Sequence, residues 1–460
     1  MSPCRYRVEK RVVEPATFGM VCLGCPKNLV DSEKIAAAML GGGFILCQDE
    51  AAADVVIINT CSFIAPAREE STTVINEFAA LRRRGGIRAL VVAGCMAEQE
   101  GEKLLETHPE VDAAVSFSAY GRIAGIVRRF LDRGVRVFEG EREYELGAET
   151  GRLLLSGSST AYLRIAEGCS NGCTFCTIPS IRGPLRSKPV AAVLEEAAEL
   201  AESGAKELVL IAQDTTAYGS DLGNGADLAQ LLVKLGELEG VVWLRLMYAS
   251  PEKVTDELID VIADTPNVLN YLDMPVQHIS GRILKKMGRR HGERKTRSLI
   301  RKLRERIPGL ILRTSLIAGF PGETPEDFEK LLDFVREGHF QRLGAFTYSK
   351  EKGTPASRMR KRVPPEVAAR RYEELMLAQQ EVTFDFAREL VGKRVEVLVE
   401  SRQEEGVWVG RTCMDAPEVD CRAYVLGSGV QPGQVLELEV VDTAGYDLIV
   451  DGKRETEEAC

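Results

Sequence analysis

Three short apolar runs, Phe18 to Cys25, Val55 to Cys61 and Ala89 to Cys95, each end in a cysteine, and helix-like segments, Asp31 to Leu40 and Pro66 to Arg84, separate them. This alternation predicts a parallel sheet, because parallel strands need a crossover connection and a helix usually supplies it. The carboxyl ends of such strands share one edge, outside which ligands bind. Cys25, Cys61 and Cys95 are therefore expected to converge there, although far apart in sequence. A single cysteine ending a strand is ordinarily a small buried residue. Three at equivalent strand ends form a candidate ligand set, and three thiolates on a cubane iron-sulfur cluster leave one iron open.

A second set lies on one short loop, E-G-C-S-N-G-C-T-F-C-T-I-P from Glu167 to Pro179, with Cys169, Cys173 and Cys176 at C-x3-C-x2-C spacing. This loop too can grip a cubane cluster and leave one iron free for a ligand. A structural zinc loop is the alternative, but closed zinc sites normally have four ligands, often in C-x2-C pairs.

The loop directly follows Tyr162 to Ala166, the first of six strand-like runs; the others are Leu208 to Ala212, Val241 to Met247, Val268 to Met274, Leu310 to Ala318 and Leu343 to Thr347. Amphipathic segments separate them. In the first, Val190, Val193, Leu194, Ala197 and Leu200 share a face, with Gly204 as a C-cap candidate. The pattern predicts a partial (βα)6 barrel whose mouth lies at the strand C-termini. Other strand ends then carry candidate ligand contacts: Gln213 and Asp214, Tyr248 and Ser250, Gln277 and His278, and G-F-P-G-E with Gly319 and Gly322. The two glycines allow close backbone approach to a ligand. His278 reads as a structural hydrogen-bonder.

After Glu389 the pattern changes to Val395, Val397 and Val399 alternating with charged residues, then Val407 to Gly410 and Val435 to Val441, which predicts a small antiparallel, OB-like barrel. The expected organisation is an open parallel α/β domain over 15–130, a charged, glycine-dotted linker over 131–159 with room for a hairpin, the barrel over 160–389 and the small β-module over 390–454. A chain of 460 residues with 45% apolar and 28% charged residues has material for about three such domains. It has neither a long apolar run nor a secretory leader pattern, so no membrane partner is expected and the cytoplasm is the expected location.

Twelve cysteines in such a chain point to metal or redox chemistry rather than disulfides. Cys22 and Cys47 read as core thiols, Cys4 and Cys460 lie in tails, and Cys413 and Cys421 belong to the last domain. Net charge is -10, which opposes a generally nucleic-acid-binding surface. The last domain is itself acidic, with seven basic and twelve acidic residues from Val391 to Arg454, and D-A-P-E-V-D from Asp415 to Asp420 reads as an acidic loop suited to a basic protein. The exception is Lys285 to Arg306, where eleven Lys or Arg face Glu293 and Glu305. An apolar stripe of Leu299, Leu303 and Ile307 makes those charges the solvent face of a barrel helix, with RNA contact secondary.

The C-x3-C-x2-C loop, with Phe175 before the last cysteine, resembles the radical S-adenosylmethionine (SAM) superfamily, in which the open iron chelates SAM. The L-G-C-P-K-N, N-T-C-S-F and A-G-C-M contexts resemble the N-terminal domain of the methylthiotransferases, and the last domain resembles a TRAM domain. Within that family, Q-D-T-T-A-Y-G (Gln213 to Gly219) and Y-L-D-M-P-V-Q-H-I-S (Tyr271 to Ser280) look like the branch that modifies an aspartate of the twelfth small-subunit ribosomal protein, the RimO type. The resemblance places a SAM amino-group contact near Gln213, although the G-G-E stretch common there is missing.

The resemblance implies two 4Fe-4S clusters and SAM as cofactors. An aspartate β-carbon has neither a leaving group nor an acidic hydrogen, so a radical is needed. The cluster on Cys169, Cys173 and Cys176 would reduce SAM to generate it. The cluster on Cys25, Cys61 and Cys95 would hold sulfur, accept a methyl group and deliver a methylthio group, giving 3-methylthioaspartate. A basic ribosomal protein would be the substrate, and an external sulfur source and electron donor would be required. The alternatives are a tRNA adenosine methylthiotransferase, an enzyme whose N-terminal cluster only relays electrons with Cys22 as a fourth ligand, and a metal-stabilised, non-enzymatic binding scaffold.

Overall fold

The computed structural model describes residues 15–140, 146–155, 157 and 159–452. Its internal contacts divide it into two units, one of residues 15–62, 66–140 and 151–153, the other of the remaining described residues.

The first unit runs β1 (Thr17–Cys22), α1 (Pro26–Gly41), β2 (Ile45–Leu46), β3 (Val55–Thr60), α2 (Ala65–Arg83), β4 (Ala89–Gly94), α3 (Cys95–Glu100), α4 (Glu102–Thr107), β5 (Ala113–Val115), α5 (Ile123–Arg133) and β6 (Val137–Glu139). Its sheet has the order β2-β1-β3-β4-β5-β6, and every pair is parallel. Central strands β3 and β4 are buried on both faces, which is why they read as unbroken apolar runs. Val56, Ile58, Leu90 and Val92 share a core with Ile75 and Ala79 of α2.

Strands β2, β5 and β6 escape sequence reading because two or three residues show no period. Strand β6 falls inside the segment expected to be a linker and pairs with β5, Val137 opposite Ala113. Helix α1 begins at Pro26, five positions before the expected Asp31, with Cys25 as its extended N-cap. Two expected core thiols are not in the core. Strand β2 covers only Thr17 and Phe18 of β1, so Cys22 emerges exposed at the uncovered end. Cys47 is half-buried in the loop after β2, and its thiol donates to the Asp49 carbonyl at 3.1 Å. Cys4 and Cys460 lie outside the described residues.

The second unit runs β7 (Thr160–Arg164), β8 (Ala166–Glu167), α6 (Ile178–Ile181), β9 (Arg186–Ser187), α7 (Val190–Glu202), β10 (Glu207–Ile211), α8 (Leu228–Gly236), β11 (Trp243–Leu246), α9 (Asp256–Asp264), β12 (Val268–Asp273), α10 (Gly281–Lys286), α11 (Glu293–Arg306), β13 (Ile311–Ala318), α12 (Pro325–Arg336), β14 (Arg342–Thr347) and α13 (Pro365–Leu390). The partial barrel is as expected: strand order β14-β13-β12-β11-β10-β7, all parallel. Leu208, Leu210, Leu244, Leu246, Leu272 and Leu312 pack beneath the helices with Val193, Leu231, Leu258 and Leu331. Strand periodicity turns Glu207, Arg245, Tyr271 and Arg313 to the other face.

A closed barrel follows, of β15 (Arg394–Glu404), β16 (Val407–Thr412), β17 (Ala423–Leu426), β18 (Val435–Ala444) and β19 (Asp447–Asp451). It departs from the expected antiparallel pattern in one pair, β17 with β19, which is parallel. Val395, Val397, Val425, Leu438 and Val450 form its core.

The acidic loop between β16 and β17 is not a free surface. Asp415 is fully buried and takes the Arg342 guanidinium at 2.7 Å. Asp420 accepts from the Tyr271 hydroxyl at 2.7 Å and from Arg313 at 3.2 Å. Arg411, on β16, reaches Glu207 at 2.5 Å, and Arg245 reaches the same carboxylate at 2.6 Å. Buried charges survive only when paired, and here the loop provides the partners for the polar face of the parallel sheet. These acids serve the inside of the molecule instead of a basic partner.

Candidate functional site

In the first unit, each cysteine sits immediately beyond a strand. Cys25 closes the turn after β1, Cys61 follows β3, and Cys95 opens α3 directly after β4. Asn28, in the first turn of α1, ties the three strand ends together. Its amide nitrogen donates to the carbonyls of Leu23 and Thr60, both at 2.9 Å, and its oxygen lies 3.7 Å from the Cys95 sulfur. Backbone close approach does the rest. A Cβ on Gly24 would lie 2.7 Å from the Cys61 Cβ, and one on Gly94 would lie 2.2 Å from Asn59 Oδ1. Both glycines have positive φ, so no other residue fits either turn without strain. Ser71 of α2 clamps Cys61 by accepting from its N–H at 3.1 Å and donating to its carbonyl at 2.9 Å. These contacts bring the ends of β1, β3 and β4 side by side. Cys61 and Cys95 are buried and Cys25 is half-buried.

In the second unit the cysteine loop leaves β8 through Gly168, where a Cβ would strike the Pro184 carbonyl at 2.1 Å. The Cys169 N–H donates to the Gly183 carbonyl at 3.1 Å, and that of Thr174 to Met287 at 3.0 Å. From the neighbouring strand end, Asp214 accepts on one oxygen from Asn171 and from Lys253, both at 2.7 Å, and on the other from Thr216 at 2.6 Å. With its acceptor sites taken up in this way, Asp214 is a brace for the loop more than a free ligand contact. A cleft of about 530 Å³ opens against Cys169 and Cys173, with Asp214, Lys253, His291 and Lys295 among its walls. Phe175 points the other way and meets Phe320 edge to face, ring centres 6.4 Å apart.

Burial pushes the thiols of Cys169 and Cys173 up and carries that of Cys176 to about 12. Thiolates are the metal ligands, so loading this site must expel protons.

Behind the loop, Glu167 is completely buried. Burial works against its charge, but the guanidiniums of Arg182 and Arg164 outweigh it and hold the carboxyl below its usual range. Arg164 is itself paired with Glu149, and Lys188 also reaches Glu149 at 2.8 Å. Glu149 comes from the segment expected to be a linker. The Gln213 amide donates to Glu167 at 2.6 Å.

Strand ends around the mouth carry two further signs of a ligand site. Tyr248 and Gln277, just after β11 and β12, have left-handed backbone, φ 62° and 66°, and such strain collects at functional sites. Among the described residues, Gln213 Oε1, Ser250 Oγ and Tyr348 Oη are buried without a hydrogen-bond partner, a condition that native proteins relieve with a ligand or water. Gly319 and Gly322 have a different explanation from the expected one. A Cβ added to Gly319 would lie 2.5 Å from Ala368, and one added to Gly322 would lie 2.0 Å from the Lys286 ammonium, so what approaches them closely is the protein itself. His278 Nδ1 accepts from the backbone N–H groups of Ile279 and Ser280, both at 2.9 Å, as expected of a structural hydrogen-bonder, while its buried Nε2 has no hydrogen-bond partner among the described residues and lies 3.5 Å from the Glu323 carboxylate.

Three family models match in succession: "Uncharacterized protein family UPF0004" over residues 17–116, the radical SAM superfamily over 163–335 and the TRAM domain over 391–451. A curated protein of Anaeromyxobacter sp. (strain Fw109-5), named ribosomal protein uS12 methylthiotransferase RimO, is 46% identical over 93% of this chain and 91% of its own length. A protein of the same name from Geotalea uraniireducens (strain Rf4) is 45% identical over 94% of this chain and 97% of its own. The chain belongs to the RimO family of uS12 methylthiotransferases. Among solved structures, the radical SAM methyltransferase TsrM from Kitasatospora setae aligns with a TM-score of 0.52 at 15% identity, covering 85% of this chain and 79% of that one, which is a likeness of fold.

The donor sets of this RimO-family chain fit the cofactors its family implies. Each set offers three soft thiols, the ligands of iron-sulfur clusters. Among the described residues no three Cys, His, Asp or Glu side chains gather tightly enough to hold a single ion. The unpartnered acceptor of Gln213, close behind the loop through Glu167, suits an ammonium group such as that of SAM. Asn28, Ser71, Lys253 and Glu149 were missed in the sequence. Asn28 lies inside the L-G-C-P-K-N motif, but nothing in one sequence says that its side chain reaches two other strand ends.

Proposed function

We infer that this protein is a radical SAM methylthiotransferase that inserts a methylthio group at the β-carbon of an aspartate of ribosomal protein uS12, giving 3-methylthioaspartate. The observation that carries this reading is full-length similarity, 43–46% over some 94% of the chain, to proteins of that one name. It carries two 4Fe-4S clusters and uses SAM. With these bound, the cluster held by Cys169, Cys173 and Cys176 would supply one-electron reduction of SAM, and the cluster held by Cys25, Cys61 and Cys95 would supply a site for the sulfur to be transferred.

The chain's own residues have these roles. Cys169, Cys173 and Cys176 hold the SAM cluster, and Cys25, Cys61 and Cys95 hold the second one. Asn171, Asp214 and Lys253 fix the SAM-cluster loop. Buried Glu167 fixes Gln213, whose free amide oxygen accepts from the SAM ammonium, while Ser250 and Tyr348 provide further polar contacts at the mouth. Phe175 and Phe320 keep the inner side of the loop apolar, which protects a radical from water. An external electron donor and sulfur source complete the turnover, and the cytoplasm, where ribosomes are, is the place of action. Among the described residues no helix is long and apolar enough to cross a membrane.

The test is anaerobic incubation of the reconstituted enzyme with SAM, a reductant and either uS12 or tRNA, followed by mass spectrometry. A methylthio addition on an aspartate of uS12 is expected. Addition to tRNA adenosine instead, or no addition alongside normal SAM cleavage, would reject the substrate.

A further inference from the structure

Two cation-rich stretches are fastened to the SAM-cluster loop. Residues 285–295 end α10 and open α11, and residues 356–362 read A-S-R-M-R-K-R. Thr174 Oγ1 donates to the Lys286 carbonyl at 2.8 Å, and the Ala356 N–H donates to the Thr174 carbonyl at 2.9 Å. Gly288 lies against Gly172, whose carbonyl would be 2.4 Å from an added Cβ. The cations on these stretches therefore rim the cysteine loop.

Their charges are unanswered. Lys285, Arg290, Arg294, Arg358, Arg360 and Lys361 are exposed, and among the described residues no carboxylate lies within ion-pair distance of these six side chains. The far end of α11 behaves otherwise. There Lys302 and Arg306 pair with Asp256, and Arg297 pairs with Glu293 and Glu337. The exposed cations of the segment are the solvent face expected of it, and those named from its first half have no ion-pair partner among the described residues. A protein of net charge -10 concentrates unpaired cations at one rim only against its average composition.

We propose that this rim binds the phosphate backbone of RNA beside the protein substrate, so that the enzyme engages its target in a ribonucleoprotein and not as a free polypeptide. The inference rests on the methylthiotransferase reading, because a ribosomal protein is embedded in RNA. A cationic rim repels a basic protein and attracts the anionic polymer around it. The C-terminal barrel is the weaker candidate, since Arg411 is consumed internally and its region is net acidic.

The test measures binding of a short fluorescein-labelled RNA hairpin to the full, cluster-loaded protein by anisotropy over a range of salt concentrations. The variants are Lys285→Glu/Arg294→Glu, Arg360→Glu/Lys361→Glu and, on the C-terminal barrel, Arg422→Glu. The wild type should bind with a steep salt dependence. Each rim double variant should bind about tenfold or more weakly at physiological salt, with the slope flattened by about one per lost phosphate contact. Arg422→Glu should bind as wild type does, and all three should still modify an isolated uS12 peptide. No RNA binding, or binding lost in Arg422→Glu but not in the rim variants, overturns the proposal. So does RNA binding that is unchanged in both rim double variants. If rim-dependent RNA binding occurs but no uS12 substrate is modified, the rim stands and the functional reading falls.

Discussion

Asn171, inside the cysteine loop, donates its side-chain amide to Asp214, at the end of the neighbouring strand, at 2.7 Å. Lys253 joins the same carboxylate oxygen and also reaches Asn171 Oδ1 at 2.9 Å, so three chain segments close into one hydrogen-bonded ring around the loop. Such supporting contacts to a metal site are worth about 10–100-fold in metal affinity or activity. Asp214→Ala should accordingly lose SAM-cluster occupancy by about that factor while folding normally. Iron and sulfide per chain, with circular dichroism as the fold control, checks this. Full occupancy in the variant would show the brace to be dispensable.

The two cysteine sets should separate by function. Cys173→Ala should abolish reductive SAM cleavage, read as 5'-deoxyadenosine. Cys61→Ala should retain cleavage and lose methylthio addition. Normal product from Cys61→Ala would remove the sulfur role from the first unit.

Gly94 is positioned to test the first unit without touching a sulfur. Its φ is 87°, and a methyl group there would meet Asn59 Oδ1 at 2.2 Å and the Thr60 carbonyl at 2.6 Å. Gly94→Ala should therefore displace Cys61 and Cys95 and roughly halve the iron content, leaving SAM cleavage intact. An unchanged iron content would contradict the geometry.

Glu207 gives a pH dependence with a definite sign. Burial works to raise its carboxyl, but the Arg411 and Arg245 guanidiniums prevail and bring it to about 2 from 4.5. A carboxyl depressed in the folded state stabilises fully above its unfolded value, and that stability is lost as pH falls from about 4.5 through about 2. The amount at stake is on the order of 3 kcal/mol. Arg411→Met, which leaves Arg245 as the remaining guanidinium on Glu207, should destabilise by about 1–3 kcal/mol near neutral pH. Unfolding of the second unit followed in denaturant at several pH values should show the wild type losing stability in that acid window. If Arg411→Met is as stable as the wild type at pH 7, the pairing carries no weight.

Much of this was legible in the sequence, and the failures have a common cause. Cys25, Cys61 and Cys95 could be gathered in advance because strand ends of a parallel sheet must share an edge, and the six barrel strands announced themselves by unbroken apolar runs. Periodicity is a local signal, so it located those elements and missed Ile45–Leu46 and Val137–Glu139, which are too short to repeat. Partnership is not local. D-A-P-E-V-D looked like an outward acidic loop because Arg342 and Tyr271, which take Asp415 and Asp420, lie 73 and 149 residues away. Glu149 looked like linker for the same reason, since Arg164 and Lys188 that neutralise it are on other elements. Gly319 and Gly322 were recognised as close-approach positions, but what approaches them, Ala368 and Lys286, was visible only in three dimensions.

The internal pairing of the loop after β16 also bears on how the protein is made. Glu207 leaves the ribosome 204 residues before Arg411, and Asp273, Arg313 and Arg342 emerge before Asp415 and Asp420. At about 5–20 residues per second, a nascent barrel spends roughly 10–40 s with the charges of its inner face still open to water. The enzyme that modifies the ribosome therefore cannot finish its own largest unit until Arg411 and Asp415 have been made.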